Sequence, residues 1–458
     1  SVKTEQNLKQ QPTVIMGLTT IETQNRVLEA MGEHHVRVAV AGNVDAGKST
    51  LIGTLKTCTL DDGRGLNRAK IMKHKHEKDT GRTSTISQHE IGFDEFDEVL
   101  TSGTTESEIA RKASRVVSLM DVAGHEKHFK TTVAGVSQGM ADYSLLLVNS
   151  AQPPTVMTMH HLRLCAACGV PVIVVMAKVD SCPSHVFRQT KAAVADILRT
   201  SEFNKRYYAV KNERDVETAK DKLNSLVPAV TVSCVTGEGL DILKKLLFAL
   251  PKRRHHEKKI KRPFEFLIEE VFNVKGIGCV ISGFVNAGEY RKGEPLFIGP
   301  MKDGTYAKAT VRSIHVAQTD VDYTYAGHSA CFAISSLTKA QRFALTRRGM
   351  QNLKGMVALK AAPESPASRT FKAELVMLRG EPVTVTKGQF HATAHILHLK
   401  QAVKVMDFSH SNPARAGKHG RISTDMAMVM RPGDQARVTF QTVGGSVYVR
   451  KGMRILLR

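Results

Sequence analysis

The stretch Gly42-Asn43-Val44-Asp45-Ala46-Gly47-Lys48-Ser49 has the residue types and spacing needed to hold phosphate, the G-x-x-x-x-G-K-[ST] pattern. A loop that wraps a diphosphate must turn backbone N–H groups inward. Here they are supplied by Asn43, Val44, Asp45, Ala46, Gly47, Lys48, Ser49 and Thr50. Glycines stand where a side chain would meet the anion or block a positive φ. Lys48 can reach the β- and γ-phosphates, and the Ser49 hydroxyl can ligate Mg²⁺. The flanks agree. Val36-Arg37-Val38-Ala39-Val40-Ala41 reads as a buried strand, and Thr50-Leu51-Ile52-Gly53-Thr54-Leu55 as a helix whose positive end faces the anion. A chance glycine turn would not bring both flanks with it.

Further along, Asp121-Val122-Ala123-Gly124 closes another apolar run. An Asp there can hold Mg²⁺ through water, Gly124 can offer its N–H to a γ-phosphate, and His125 stands where an imidazole can orient an attacking water. Between the motifs, Thr80-Gly81-Arg82-Thr83-Ser84-Thr85 offers hydroxyls that would complete a Mg²⁺ shell only with a γ-phosphate present, the behaviour of a switch. Ala177-Lys178-Val179-Asp180 ends a fourth candidate strand. The Asp180 carboxylate can accept from guanine N1 and the exocyclic amine, a donor pair adenine lacks, while the Lys178 stem packs on the ring. Ser233, Cys234 and Val235 begin the stretch Ser233-Cys234-Val235-Thr236-Gly237, where a backbone N–H can meet guanine O6. Each of the later motifs is commonplace alone; their order and spacing together indicate a guanine nucleotide, GTP or GDP.

These residues need a frame. Candidate strands at 36–41, 115–122, 143–148, 172–177 and 228–234 alternate with helical stretches, the last at 239–250 before Pro251, as in a parallel α/β sheet. The residues up to 35 form a polar N-terminal extension with one helix around Ile21 to Met31. The nucleotide domain spans 36–252, and the charge run at 253–262 reads as a solvated basic linker. Beyond it, short β-rich segments at 264–272, 279–285, 294–298 and 307–315 favour an antiparallel barrel over 263–361. Strands at 371–378, 437–441 and 446–457 make a second barrel over 366–458. The expected fold is an α/β P-loop GTPase domain, a mainly parallel doubly wound sheet, followed by two antiparallel β-barrel domains.

At 458 residues the chain has room for roughly three domains of ~150 residues. The net charge of +22 and pI of about 9.7 point to a polyanionic partner. Without Trp and with 8 Tyr there is no obvious platform for stacking single-stranded bases, so folded tRNA or rRNA, recognised by backbone and shape, is the expected kind of RNA. Seven cysteines, an odd number in a long chain, give no disulfide framework and fit a reducing compartment. No run of ~18 apolar residues suggests a membrane span, and no apolar signal core opens the chain; the expectation is a cytoplasmic monomer whose true N-terminus is absent.

By motif order the chain resembles the translational GTPases, elongation factor Tu and its eukaryotic counterpart. It is more closely similar to the family called GTP-binding protein 1 and 2 in animals. The likeness lies in Gly42–Leu51, His74-Lys75-His76-Glu77, Gly81-Arg82-Thr83-Ser84, Ala123-Gly124-His125-Glu126-Lys127 and Val235-Thr236-Gly237-Glu238. It is thinner in the barrels, where Gly276–Gly283 anchors it. The resemblance implies Lys48 on phosphate, Ser49 and Thr83 on Mg²⁺, Asp121 on Mg²⁺ through water, His125 as the water-orienting group and Asp180 reading guanine. It further implies partners in the ribosome and its rRNA, and in tRNA or aminoacyl-tRNA, with links to ribosome rescue and mRNA turnover. Three departures stand out. Ala177 replaces an Asn or Thr, which implies lower guanine affinity at kept specificity. Arg82 replaces an apolar gate beside His125. The chain stops where relatives continue, which implies a trimmed second barrel.

Other candidates are weaker. Cys165-Ala166-Ala167-Cys168 after His160 and His161 imitates a metal site, but the spacing puts Leu162, Cys165 and Ala166 on the core face of a helix at 159–169. In the strand expected at His391–His398, His391 and His395 share one face and His398 the other, so a three-ligand site fails and a wet face or RNA contact is the reading. Basic groups at Lys70, Lys73, His74, Lys75, His76, Lys78 and at Arg415, Lys418, Arg421 are solvated faces or RNA contacts. The expected function is a GTPase stimulated on the ribosome, acting in elongation, rescue or mRNA surveillance. The alternative is a ribosome-assembly or RNA quality-control factor that uses its GTP state as a placeholder, and a third reading is an RNA scaffold holding nucleotide for structure alone.

Overall fold

The structure, a computed structural model, describes residues 20–72, 87–100, 105–122, 136, 141–253, 256–301, 303–338, 341, 355–362, 367–377, 384–396, 399–411, 429–431, 433–453 and 455–457. Thr83 with the rest of the 80–85 stretch, Gly124, His125, His398, Arg415, Lys418, Arg421 and the basic residues at 73–78 lie outside them.

Helix α1 (Thr20–Gly32) leads into strand β1 (His35–Gly42), buried along its whole length. Strands β2 (Ser87–Phe93), β3 (Arg115–Asp121), β4 (Tyr143–Asn149), β5 (Val172–Ala177), β6 (Arg206–Ala209) and β7 (Leu226–Val232) complete a sheet ordered β2-β3-β1-β4-β5-β7-β6. All neighbours are parallel except β2, which runs antiparallel to β3 at the edge. Parallel neighbours need crossovers. Helices α2 (Lys48–Thr57), α3 (Leu66–Ile71), α4 (Glu106–Lys112), α5 (Val156–Cys168), α6 (Ser184–Arg199), α7 (Glu213–Asp221) and α8 (Leu240–Ala249) lie between and after the strands. Both faces of the sheet are covered. Val36, Val38 and Val40 pack with Leu51, Ile52 and Leu55 on one side, while Ala41 packs with Leu146, Leu162 and Val194 on the other. This explains why β5 reads as an unbroken apolar run and β4 nearly so.

The second sheet is antiparallel. Strands β8 (Glu265–Val274) and β9 (Gly278–Ala287) form a long hairpin. They are joined by Pro295–Gly299, Ala307–Val316, Thr319–Val321, Ser329–Ser335 and Val357–Leu359. Pro295–Gly299 pairs with both Ala307–Val316 and Val357–Leu359, which closes the ring into a barrel. The third sheet, built on Thr370–Val376, Gln435–Thr442, Leu399–His410, His391–Ile396 and Ile455–Leu457, stays open among the described residues and forms a half-barrel. The strand expected across 446–457 is not formed throughout. Among the described residues of that stretch, Ile455–Leu457 alone pairs in the sheet, with one further bridge from Val447 to Ser368.

Several expectations change. The 253–262 run is docked at several points: Arg253 donates to the Asp142 and Gly169 carbonyls, Glu257–Ile260 is helical, and the Gly288 N–H donates to Lys259 O. On α5, Leu162 and Cys165 are buried as expected, but Ala166 is exposed and His161 is buried in its place. His395 is 3 % exposed and so is no wet-face residue.

The first domain and the barrel share one apolar core. Val27, Leu28, Ala30 and Met31 of α1 pack with Ile109 and Ala110 of α4 and with the barrel interior. Tyr325 OH and His328 Nε2 both donate to Leu28 O, at 3.1 and 2.9 Å. Arg37 of β1 donates to Gly327 O (3.0 Å) and Ser329 Oγ (3.1 Å), with its guanidinium 4.2 Å from the Phe284 ring centre.

Candidate nucleotide site

Strand β1 delivers its chain end, Gly42, against β4. A Cβ at Gly42, whose φ is +144°, would lie 2.5 Å from Leu147 O, so only glycine fits. The loop then turns through Asp45 at φ +59° and Gly47 at φ +94°, which opens α2. Asn43 accepts from the Val44 N–H through Oδ1 (2.8 Å), and Ala46 is buried beneath the loop. Val44 and Thr50 are half-buried and Asp45 is exposed. Lys48, 7 % exposed, donates from Nζ to Asn43 O (2.8 Å) and Gly42 O (3.2 Å), which folds the ammonium back over the cradle. Burial pulls the Lys48 pKa below its ordinary range, while the carboxylates of Asp121 and Asp45 oppose that shift.

Asp121 is the last residue of β3, and Ser49 Oγ donates to its Oδ2 at 2.5 Å. The parallel register of β1 and β3, with Val40 opposite Asp121, brings them together. Two hard oxygen donors thus meet beside a cationic lysine, a donor set that would suit a hard divalent cation such as Mg²⁺. Thr83, Gly124 and His125, expected at this end, fall outside the described residues.

The base end forms where β5 and β7 stop. Lys178 takes a left-handed turn at φ +60°, and Asp180 sits in the 3₁₀ turn Val179–Ser181 with its carboxylate exposed. The Lys178 Cε lies 3.9 Å from where a Cβ would project at Gly47, so its stem runs alongside the phosphate loop. Ala177 is buried and offers no polar group. β7 ends at Val232, two residues before the expected end, leaving Ser233, Cys234 and Val235 in the loop. Ser233, fully buried, accepts from the Val235 N–H (3.2 Å) and the Thr236 N–H (3.0 Å) and so fixes the loop's shape. Burial pushes the Cys234 thiol up to about 11.

Sequence reasoning missed what braces this loop. Residues 58–66 fold over it: the Asp61 N–H donates to Cys234 O (2.8 Å), and Asn67 Nδ2 reaches Thr54 Oγ1 (3.1 Å) and Thr59 O (2.7 Å). The signal available was Asp61-Asp62-Gly63-Arg64-Gly65, a run that makes side-chain-to-backbone turns. The Cys165–Cys168 pair joins no cluster of metal-ligating side chains among the described residues, where the one such group is exposed Glu29, Glu33 and His34. His161 is held neutral, pushed down to about 3 by burial, with the Lys48 charge adding to that shift.

A family model described as the elongation factor Tu GTP binding domain matches residues 33–256. GTP-binding protein 1 of Xenopus laevis is 33 % identical over 431 residues, covering 92 % of this chain and 61 % of that protein. GTP-binding protein 2 of Mus musculus is 32 % identical over 431 residues, covering 92 % of this chain and 67 % of that protein. The chain therefore spans about three-fifths to two-thirds of the length of these relatives. Among solved structures, the bacterial selenocysteine-specific elongation factor EF-Sec superposes with a TM-score of 0.61 at 20 % identity, over 92 % of this chain and 55 % of that one. Translation elongation factor SelB from Methanococcus maripaludis, in complex with the GTP analogue GppNHp, gives 0.58 at 17 % identity, over 92 % and 74 %. At those identities the superpositions speak for the fold: a parallel-rich nucleotide-type domain followed by antiparallel barrels.

Proposed function

The chain belongs to the GTP-binding protein 1 and 2 family of translational GTPases, and from that premise we propose that it binds and hydrolyses GTP while acting on the ribosome. The observation that carries this reading is the 2.5 Å contact between Ser49 and Asp121 beside Lys48, at the same C-terminal end of the sheet as Lys178, Asp180 and Ser233–Val235. In this reading the N–H groups of the 43–50 loop and Gly124 hold the phosphates. Asp180 and the Cys234–Val235 backbone hold guanine. Ser49, Thr83 and Asp121, directly or through water, hold Mg²⁺, which neutralises phosphate charge. His125 orients the attacking water, and Lys48 stabilises charge on the β–γ bridge. The basic surface, +22 overall, is matched to rRNA and to tRNA or aminoacyl-tRNA.

Cosedimentation with purified ribosomes tests the proposal. The protein should pellet with ribosomes in GppNHp and be released in GDP, with tRNA retention following the same order. Equal pelleting in both nucleotides would contradict nucleotide-gated ribosome action.

A further inference from the structure

Ser233 shapes the guanine loop from within, and a second segment holds it from outside. From the geometry of residues 54–67 we infer that Asp61 is a positioning residue for guanine recognition, clasping the Ser233–Gly237 loop so that its backbone N–H groups face O6 of the base. The inference rests on the guanine reading of that loop.

The clasp is built from both main chain and side chains. The Asp61 N–H donates to Cys234 O at 2.8 Å, which pins the peptide just before Val235. The Asp61 carboxylate, on a residue 7 % exposed, anchors that N–H by accepting from three others: Asn67 N (2.9 Å), Gly63 N (3.1 Å) and Gly65 N (3.3 Å). Asp62 repeats the turn one step out, accepting from Arg64 N (2.8 Å) and Leu66 N (3.1 Å). Side chains brace the clasp against α2: fully buried Asn67 donates from Nδ2 to Thr54 Oγ1 (3.1 Å) and to Thr59 O (2.7 Å). Apolar contacts close the fit. Leu60 lies 3.3 Å from where a Cβ would stand on Gly237, and Val235 lies 3.8 Å from the same point on Gly63.

A carboxylate accepting three N–H groups is preorganised, and its loss leaves the buried Asn67 N–H unmet and frees the turn at Gly63 and Gly65. The consequence should fall on the base, because the clasp touches the loop at 233–237 and not the phosphate cradle. Asp61 is therefore expected to set specificity for the 6-position of the purine more than total affinity.

The test compares GDP with 6-thioguanosine diphosphate, which keeps N1–H and the amine but replaces O6 with a weak acceptor. Wild-type protein should prefer GDP. Asp61→Asn should weaken GDP about tenfold, the loss of roughly one well-placed hydrogen bond, and 6-thio-GDP by no more than about twofold, so the preference collapses. Should Asp61→Asn not fold, Thr54→Val carries the same test, with a smaller collapse in the same direction. Equal weakening of both nucleotides, or no change in either, would overturn the clasp. Asp180→Asn is measured alongside, against GDP and xanthosine diphosphate. If it leaves that ratio unchanged, the guanine reading itself has failed. If it shifts the ratio while Asp61→Asn weakens both purines equally, the clasp alone has failed.

Discussion

Lys48 shows how much of the chemistry is decided by single side chains. Its ammonium is buried, held by two carbonyls, and depressed in pKa by that burial. A phosphate arriving beside it would raise that pKa, so nucleotide binding takes up a proton wherever the empty-site lysine has lost its own. GDP affinity should therefore be constant near neutrality and fall as pH rises toward the ordinary lysine value of 10.5, in a titration of Kd against pH. Lys48→Ala should weaken GDP at least ~100-fold, read with a fluorescent GDP, since charge-assisted bonds to phosphate are among the strongest. Affinity within a few-fold of wild type would remove Lys48 from the site. The phosphate loop, Asp121 and the segments proposed to read guanine could be picked out in the sequence because each is a local pattern at a strand end, and the structure places them together at the C-terminal ends of β1, β3, β5 and β7. Asp61 was not: its proposed role comes from a fold that lays 58–66 over 233–237, with Asp61 and Cys234 lying 173 positions apart.

At the scale of elements, β5 could be read because it is buried on both faces and carries an unbroken apolar run, and β1 because its apolar run from Val36 to Ala41 is interrupted only by Arg37. β2 could not. It is an edge strand whose Gln88 and Glu90 form a polar cluster with Ser118 and His35, Gln88 Nε2 donating to Glu90 at 2.6 Å, so no periodic signal marks it. Between the barrels, buried Glu265 accepts from Arg450 at 2.6 and 3.1 Å and from Tyr448 at 2.9 Å. These donors hold the Glu265 carboxyl below its ordinary range against the opposing effect of burial. A depressed acid contributes stability above its unfolded pKa of 4.5 and loses it as pH falls through the lower folded value, so this contact should weaken only in acid. Glu265→Gln should cost about 1–2 kcal/mol at pH 7, after allowance for the solvent exposure of Arg450. The change would appear in denaturant unfolding of the barrels and should vanish at low pH.

For the whole molecule, α1 matters most. It joins the first domain to the barrel through a shared apolar core. Arg37 adds its contacts at the start of β1, about 17 Å of strand away from Gly42. An interface of this kind, remote from the phosphates, should hold the barrel when the γ-phosphate is lost. Small-angle scattering should then give the same radius of gyration with GDP and GppNHp, and removal of residues 20–32 should make the two differ. Among the described residues no helix is long and apolar enough to cross a membrane. The charge of +22 makes any RNA contact salt-sensitive.

GTP turnover by the purified protein, with and without ribosomes and at low and moderate salt, tests the central claim most directly. A ribosome-stimulated rate that declines with salt and is lost in His125→Ala is the predicted result. A rate indifferent to ribosomes, or one that survives His125→Ala, would contradict a translation-type GTPase and shift the account to a nucleotide-holding RNA scaffold.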